Sequence, residues 1–172
     1  MDGPEAAGIP LKRQAIKKSD VVMKLNDGIE LKGHLKVWST NLTTREKTLV
    51  VDQENIVTTV GKGLALDLLS GVSSSYLTHF AWSDDNSAVS AASTTLVGED
   101  GRKVLQSTSR SGAVTTFVGS LTAGEGNSPS TISRFGLFNS AAGGVLFNEL
   151  VFTSITKNTQ TELEFSYALT CT

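Results

Sequence analysis

The sequence predicts an all-β protein: an antiparallel β-sandwich, jelly-roll-like, with one short buried helix and an extended N-terminal arm. Ser and Thr supply 40 of the 172 residues, alongside sixteen Gly and three Pro. Thr and Val favour strands, whereas Ser and Gly favour turns. Stretches that alternate apolar and polar residues recur about every ten residues, a spacing typical of sandwiches and barrels. Many short strands around one core therefore fit the chain best.

The most regular of these stretches runs from residue 162 to residue 171. Its period of two places one row of side chains on a core and the other toward water or a neighbouring subunit. A strand so close to the C-terminus needs pairing to avoid fraying, so we expect a central or closing strand. Cys171, the single cysteine, is predicted to be a buried small hydrophobe, and a disulfide framework is excluded. The apolar row is Leu163, Phe165, Tyr167, Leu169 and Cys171.

The N-terminal part differs in composition from the rest. Residues 1–10 are mostly Gly, Pro and Ala, and residues 11–19 are basic, which predicts an arm over residues 1–20 with a linker or short surface helix in it. Residues 1–47 carry nine Lys or Arg and six Asp or Glu, a balance of +3, and the remaining residues balance to −5. The arm could dock on an acidic neighbouring body or simply be solvated.

Residues 21–60 are predicted to form a three- or four-strand antiparallel meander. A strand over 21–25 is followed by Asn-Asp-Gly, whose Asp-Gly pair suits a tight hairpin, and by a return strand over 29–38. A further strand covers 48–52. The apolar residues expected on the core side of the return strand are Ile29, Leu31, Leu35 and Val37.

Residues 61–71, preceded by Val60, predict the one helix, because Leu and Ala are good helix formers and Gly71 suits a C-terminal cap. Apolar residues surround much of its circumference, so we expect it to be buried and to plug one end of the sandwich. Residues 72–172 supply the main sheets, and 21–172 form one domain. The further strands are predicted over residues 76–82, 95–97, 103–108, 113–121, 131–138, 145–152 and 162–171.

No motif in the sequence carries the pattern of a reactive site. His34 and His79 fall inside predicted strands, there is no G-x-S-x-G, and the histidines and Cys171 lack zinc-ligand spacing. We therefore predict a non-enzymatic protein with no catalytic, cofactor-binding or metal-binding residues. Segments 84–87, 99–101 and 124–126 are interpreted as loops or turns, and segment 61–63 as a strand-to-helix turn. Residues 41–43 form a glycosylation sequon that we interpret as unused. Arg110 and Arg134 are interpreted as cations without the other groups of a reactive site.

The charge and hydropathy exclude two classes of partner. The net charge of −2 argues against nucleic acid as the main partner. No apolar run approaches the length of a membrane span, and the N-terminus lacks the apolar core of an export signal. We expect a soluble protein that neither crosses a membrane nor binds nucleic acid directly.

Several short motifs of turn and core residues follow one another along the chain. They are Asn55-Ile56-Val57, Gly61-Lys62-Gly63-Leu64, Leu77-Thr78-His79-Phe80-Ala81, Arg102-Lys103-Val104, Ser109-Arg110-Ser111-Gly112, Thr122-Ala123-Gly124-Glu125, Phe135-Gly136-Leu137-Phe138-Asn139, Gly143-Gly144 and Ile155-Thr156-Lys157. Their order resembles that of small structural proteins encoded in the virion modules of tailed bacteriophages, over roughly residues 30–172. The resemblance implies a β-sandwich subunit that assembles into the particle, and it carries over no catalytic residues.

Two functional hypotheses follow. The first is a structural virion subunit, a homo-oligomer that is made in the bacterial host cytoplasm and binds other virion proteins. We expect it in the tail or next to it, in a fibre, baseplate or collar, with a capsid decoration or cement protein as the alternative. The second is a carbohydrate-binding β-sandwich module for host glycans, with Trp38 and Trp82 as aromatic platforms.

Overall fold

A computed structural model describes residues 30–172 and confirms the all-β antiparallel prediction. This region contains nine strands and one helix, α1 (Thr59–Ser70). The strands are β1 (Leu31–Asn41), β2 (Lys47–Val57), β3 (His79–Ser83), β4 (Gly101–Val104), β5 (Ser107–Ser111), β6 (Val114–Leu121), β7 (Thr131–Phe138), β8 (Leu146–Thr156) and β9 (Thr161–Cys171). The predicted arm, residues 1–20, and the predicted strand over 21–25 lie outside the described residues.

All nine strands belong to one curled sheet in the order β4-β3-β7-β8-β2-β1-β9-β6-β5. Strand β2 joins the two halves. From Lys47 to Asn55 it pairs with β1, and only its last two residues, Ile56 and Val57, pair with β8. The expected sandwich is therefore a single sheet whose halves fold over each other, and β9 lies centrally between β1 and β6.

Aromatic side chains fill the space between the two halves. Phe80 on β3 and Phe135 on β7 contact Phe165 on β9, with ring centroids 5.4 and 5.5 Å apart. Phe135 also stacks on Tyr167 at 6.2 Å. Such pairs stabilise a core beyond the area that they bury. The predicted alternation in β9 is confirmed where these rings pack, since Leu163, Phe165 and Tyr167 are almost fully buried.

The two free edges of the sheet, β4 and β5, follow each other in the chain. The amide of Leu105 donates to the carbonyl of Thr78 beside β3 at 2.8 Å, and the amide of Gln106 donates to Val118 on β6 at 2.7 Å. The chain thus crosses from one half to the other within two residues. The prediction of one strand over 103–108 is wrong, because this crossing divides it into β4 and β5.

Helix α1 has the predicted ends. The side chain of Thr58 accepts a hydrogen bond from the Gly61 amide at 2.9 Å, and Gly71 ends the helix with a φ of 74°, a left-handed conformation that glycine adopts without strain. Gly61 lies directly against β8, since a Cβ there would come within 2.1 Å of the Phe147 carbonyl oxygen. Close backbone approach therefore fixes the start of the helix on the sheet.

The prediction that this helix is buried is wrong. Gly61 and Leu64 are its buried residues, whereas Leu66 is 64% exposed and Leu69 is 76% exposed. The helix packs on β8 by one side only. The apolar residues on its other sides therefore form an exposed apolar surface.

One further prediction is corrected by the packing. Residues 95–97 form no strand; Leu96 is buried in a loop that covers the outer side of β3, β7 and β8, where it packs with Ala81, Phe138 and Leu146. The described part of the meander predicted for 21–60 forms the antiparallel pair β1 and β2, and β9 lies on the other side of β1.

Candidate interaction surfaces and polar clusters

Among residues 30–172, Arg134 on β7 has the largest of the fully buried side chains. Its guanidinium forms an ion pair with Glu149, a fully buried residue of the neighbouring strand β8. On its other side, Nη2 donates to the Asp85 carboxylate at 2.6 Å and to the Ser87 carbonyl at 2.5 Å, and Nε donates to the Asp85 carbonyl at 3.1 Å. Arg134 thereby anchors the loop of residues 84–87.

The loop of residues 84–87 is consequently held in the fold by ion pairs and hydrogen bonds. Hydrogen bonds from Ser87 and the Arg134 cation lower the pKa of Asp85, so its carboxylate stays charged. The amide of Asp84 donates to the Asp100 carboxylate at 2.8 Å, and Glu99 pairs with Arg102 at 2.6 Å. The carboxylates of Asp85, Glu99 and Asp100 thus hold the loops together.

A second cluster closes the seam between the two halves of the sheet. Lys103 on β4 donates to the carbonyl of Ser120 on β6 at 3.1 Å and pairs with Glu125 at 2.6 Å. Glu125 also accepts from the amide and hydroxyl of Thr122. The hydrogen bond from Lys103 and those from Thr122 lower the pKa of Glu125 to about 2. The loop of residues 124–126 thus stabilises the contact between the two halves of the sheet.

Lys157, which follows β8, is fully buried. Its ammonium donates to Asn127 Oδ1 at 2.9 Å and to the Asn158 carbonyl at 3.1 Å. Burial lowers the pKa of Lys157, while the charges of Glu125 and Glu162 oppose that shift. The lysine ties the loop before β7 to the loop before β9.

Each histidine has a local partner. His34 Nε2 lies 2.5 Å from Asp52 Oδ1 on the exposed side of β1 and β2. His79 Nδ1 lies 2.8 Å from the Thr78 hydroxyl, and burial, followed by the Arg102 charge, lowers the pKa of His79. A neutral imidazole beside a threonine and a surface His–Asp pair are both ordinary strand contacts.

The remaining motifs are part of turns and ends of elements. Residues 61–63 lie inside the first turns of α1, not in a loop ahead of it. In the sequon, the Asn41 side chain accepts from the amides of Thr43 and Thr44 and so stabilises the turn between β1 and β2. Arg110 is exposed on edge strand β5 and donates to the Gly112 carbonyl.

The two tryptophans occupy opposite environments. Trp82 is 8% exposed and packs against Phe80, with ring centroids 5.8 Å apart. It belongs to the core and is not available as a sugar platform. Trp38 is partly exposed on the outer side of β1, where the Lys47 ammonium lies 5.4 Å from its ring centroid. The carbohydrate hypothesis keeps one of its two aromatic groups.

Across residues 30–172, His, Cys, Asp and Glu side chains nowhere gather in threes that could hold a metal ion. The helix of this region is too short to cross a membrane. Comparisons with protein-family models, curated proteins and solved structures found no match.

The outer side of β2, β1, β9, β6 and β5 is a broad face, which we name the five-strand face. Trp38 pairs with Leu49 on β2 and with Glu164 on β9. Lys47 forms an ion pair with Glu164 at 3.1 Å. Toward β6 and β5, short side chains predominate; those at successive register positions include Thr116, Val118, Ser120, Ser166, Ala168 and Ser107.

A second surface opens beside α1. Leu169 is partly buried and Cys171 is exposed, although both continue the apolar row of β9. The prediction that Cys171 is buried is wrong, because this row runs out of the core into a groove at the end of the curled sheet. The groove has a volume of about 980 Å³, and we name it the α1 groove.

Proposed function

We propose that this chain is a non-enzymatic structural subunit of a tailed-phage virion. The motif resemblance covers the region that folds into the curled sheet. We further propose that the subunit lies in the tail or next to it, in a fibre, baseplate or collar. The subunit assembles with copies of itself and with other virion proteins, through its N-terminal arm and its sheet surfaces.

The observation that carries the proposal is the pairing of Trp38 with Leu49 on the five-strand face. Leu49 is 43% exposed, and its register partner on the neighbouring strand is Trp38, which is partly exposed. An aromatic anchor with an aliphatic neighbour, ringed by polar groups, is the usual centre of a protein interface. The nearby charges of Lys47 and Glu164 neutralise each other, which lowers the cost of covering them.

The polar clusters support the same conclusion. The groups with perturbed or buried charge, Arg134, Glu125 and Lys157, each hold two segments of the fold together. Their hydrogen bonds are used for structure. A scaffold that fixes its loops in this way presents a rigid surface, and rigid surfaces suit repeated assembly.

Native mass spectrometry of the full chain tests the proposal. We expect a homo-oligomer, and we expect Trp38→Ser/Leu49→Ser to be mainly monomeric with an unchanged circular dichroism spectrum. The matched control is Val97→Ser/Val104→Ser, which removes apolar residues of similar exposure away from this face and should keep the oligomer. The proposal is contradicted if the wild type is a monomer, or if Trp38→Ser/Leu49→Ser forms the same oligomer as the wild type.

The carbohydrate alternative now depends on Trp38. Glycan-array binding by the wild type that is lost in Trp38→Ala would favour it over pure assembly. Binding that Trp38→Ala leaves unchanged would exclude this surface as the sugar platform.

A further inference from the structure

The α1 groove is an open apolar surface that continues the core of the curled sheet. On the sheet side, Phe117 of the core cluster lines it, together with Leu31 and Leu169, which pack against that cluster. On the other side it is lined by Leu66 and Leu69 of α1, which are 64% and 76% exposed. Its volume of about 980 Å³ and its mainly apolar walls are typical of a small-molecule site, in which a few polar groups fix the orientation of the ligand.

One cation and two hydroxyl groups stand on the groove side of the hairpin formed by β5 and β6. Thr108 and Thr115 line the groove. Arg110 is two residues from Thr108 and is the register partner of Thr115, so it lies on the same face of the sheet as both threonines. Its Nε donates to the Gly112 carbonyl, and among residues 30–172 no carboxylate lies within ion-pair distance of its guanidinium. Guanidinium and hydroxyl donors on one face suit an anionic group.

The charged residues in the lining itself favour a ligand of the same sign. Lys62 is exposed on α1 and forms no ion pair with the described residues. Glu30 forms an ion pair with Lys32 at 3.3 Å. Because Leu31 between them lines the groove, both charges of that pair lie on the opposite face of the chain. The groove therefore has two unpaired cations, Lys62 and Arg110, and no unpaired carboxylate in its described lining.

We propose that the α1 groove binds an amphipathic anion with an aliphatic chain, such as a long-chain carboxylate. The chain lies between the leucines of α1 and the end of β9, and burial of this apolar surface supplies most of the affinity. The head accepts hydrogen bonds from Arg110, Thr108 and Thr115, while Lys62 adds positive charge from the α1 side. The inference goes beyond assembly and holds whether or not the chain is a virion subunit.

Isothermal titration of the full chain with sodium dodecanoate, below its critical micelle concentration, tests the proposal. We expect one saturable site, and binding should weaken about two- to fourfold for each methylene removed as the chain is shortened. Dodecylammonium, which has the same chain and the opposite charge, should bind about tenfold more weakly or not at all. Equal binding of the two amphiphiles, or no saturable binding of dodecanoate, would overturn the proposal.

Two variants assign the binding to this groove. Arg110→Gln should weaken dodecanoate binding about fivefold, the effect expected for an exposed ion pair. Its control is Arg45→Gln, which removes an exposed cation between β1 and β2, at the other end of β1, and should leave the affinity unchanged. Leu66→Ser/Leu69→Ser should weaken binding about tenfold or more, and circular dichroism checks its fold. Unchanged affinity in Arg110→Gln or in the double variant refutes the proposal.

Cys171 reports on the occupancy of the groove, because it lines the groove and is exposed. Saturating dodecanoate should slow its alkylation by iodoacetamide about fivefold or more, since the bound chain covers the thiol. An unchanged rate contradicts the proposal. Slower alkylation with anionic phospholipid vesicles but not with dodecanoate would assign the groove to a membrane surface, and a rate that falls as the protein concentration rises would assign it to a second copy; either result also refutes the proposal.

Discussion

Replacing Arg134 with methionine should strongly destabilise the fold. The substitution keeps an unbranched apolar stem but removes the charge between β7, β8 and the loop that contains Asp85. Glu149 is fully buried, and its Oε2 has no hydrogen-bond partner among the described residues. The arginine is thus its only neutralising partner in this region, and Arg134→Met leaves a buried carboxylate unpaired.

The structure sets the size of this effect. Breaking a buried ion pair from one side costs roughly 3–5 kcal/mol, a large fraction of the about 5–15 kcal/mol by which such domains are stable. With a urea m-value of about 2 kcal/mol/M, the unfolding midpoint should fall by about 2 M. Arg134→Met/Glu149→Leu leaves no fully buried charge unpaired, because the remaining partner, Asp85, is 31% exposed, and it should regain about 2 kcal/mol.

Equilibrium urea unfolding, followed by the fluorescence of the buried Trp82, measures these differences. Lys47→Met is the matched control, because it breaks an ion pair whose side chains are 47% and 43% exposed and should cost less than about 1 kcal/mol. If Arg134→Met lowers the free energy of unfolding no more than Lys47→Met does, the buried pair is no more important for stability than the exposed one, which contradicts the prediction. It is also refuted if the double variant is no more stable than the single one.

Three other substitutions have defined outcomes. Glu125→Gln should lower the free energy of unfolding by about 1 kcal/mol at neutral pH, less than the full pKa shift implies because the side chain is 37% exposed. The folded pKa of Glu125 is about 2 and the ordinary value is 4.5, so the extra stability of the wild type is full above pH 4.5 and disappears as the pH falls to about 2. Unfolding curves at stepped pH measure this loss. Gly33→Ala should lower the thermal midpoint, because its Cβ would lie 2.0 Å from the Tyr167 hydroxyl oxygen, and an unchanged midpoint argues against this packing. Thr58→Ala should cost about 1–2 kcal/mol in urea unfolding through loss of the helix cap, and a change below a few tenths would rule that cap out.

Local patterns in the sequence are sufficient for most elements of the fold. Strand β7 occupies the predicted residues 131–138, and β9 and α1 begin within two residues of their predicted starts. Period-two alternation and a Leu-rich run ending at glycine are short-range signals, and here the tertiary structure follows them.

The features that the sequence analysis missed depend on distant contacts. The exposure of α1 depends on which of its sides β8 covers. The break between β4 and β5 at residues 105–106 arises because the chain crosses there from one half of the sheet to the other. The Arg134–Glu149 pair did leave a signal in the sequence: each is the only charged residue of its strand, and the two have opposite signs. Two such charges in a buried sheet predict a partnered pair.

Immunogold labelling of particles of the phage proposed to encode this chain tests whether the protein is a virion subunit. We expect label at a fixed position on the tail or next to it, in several copies per particle. Label distributed over the head would replace the tail assignment with the decoration role. Purified particles that carry no label and contain none of this protein by mass spectrometry would show that it is not a virion subunit.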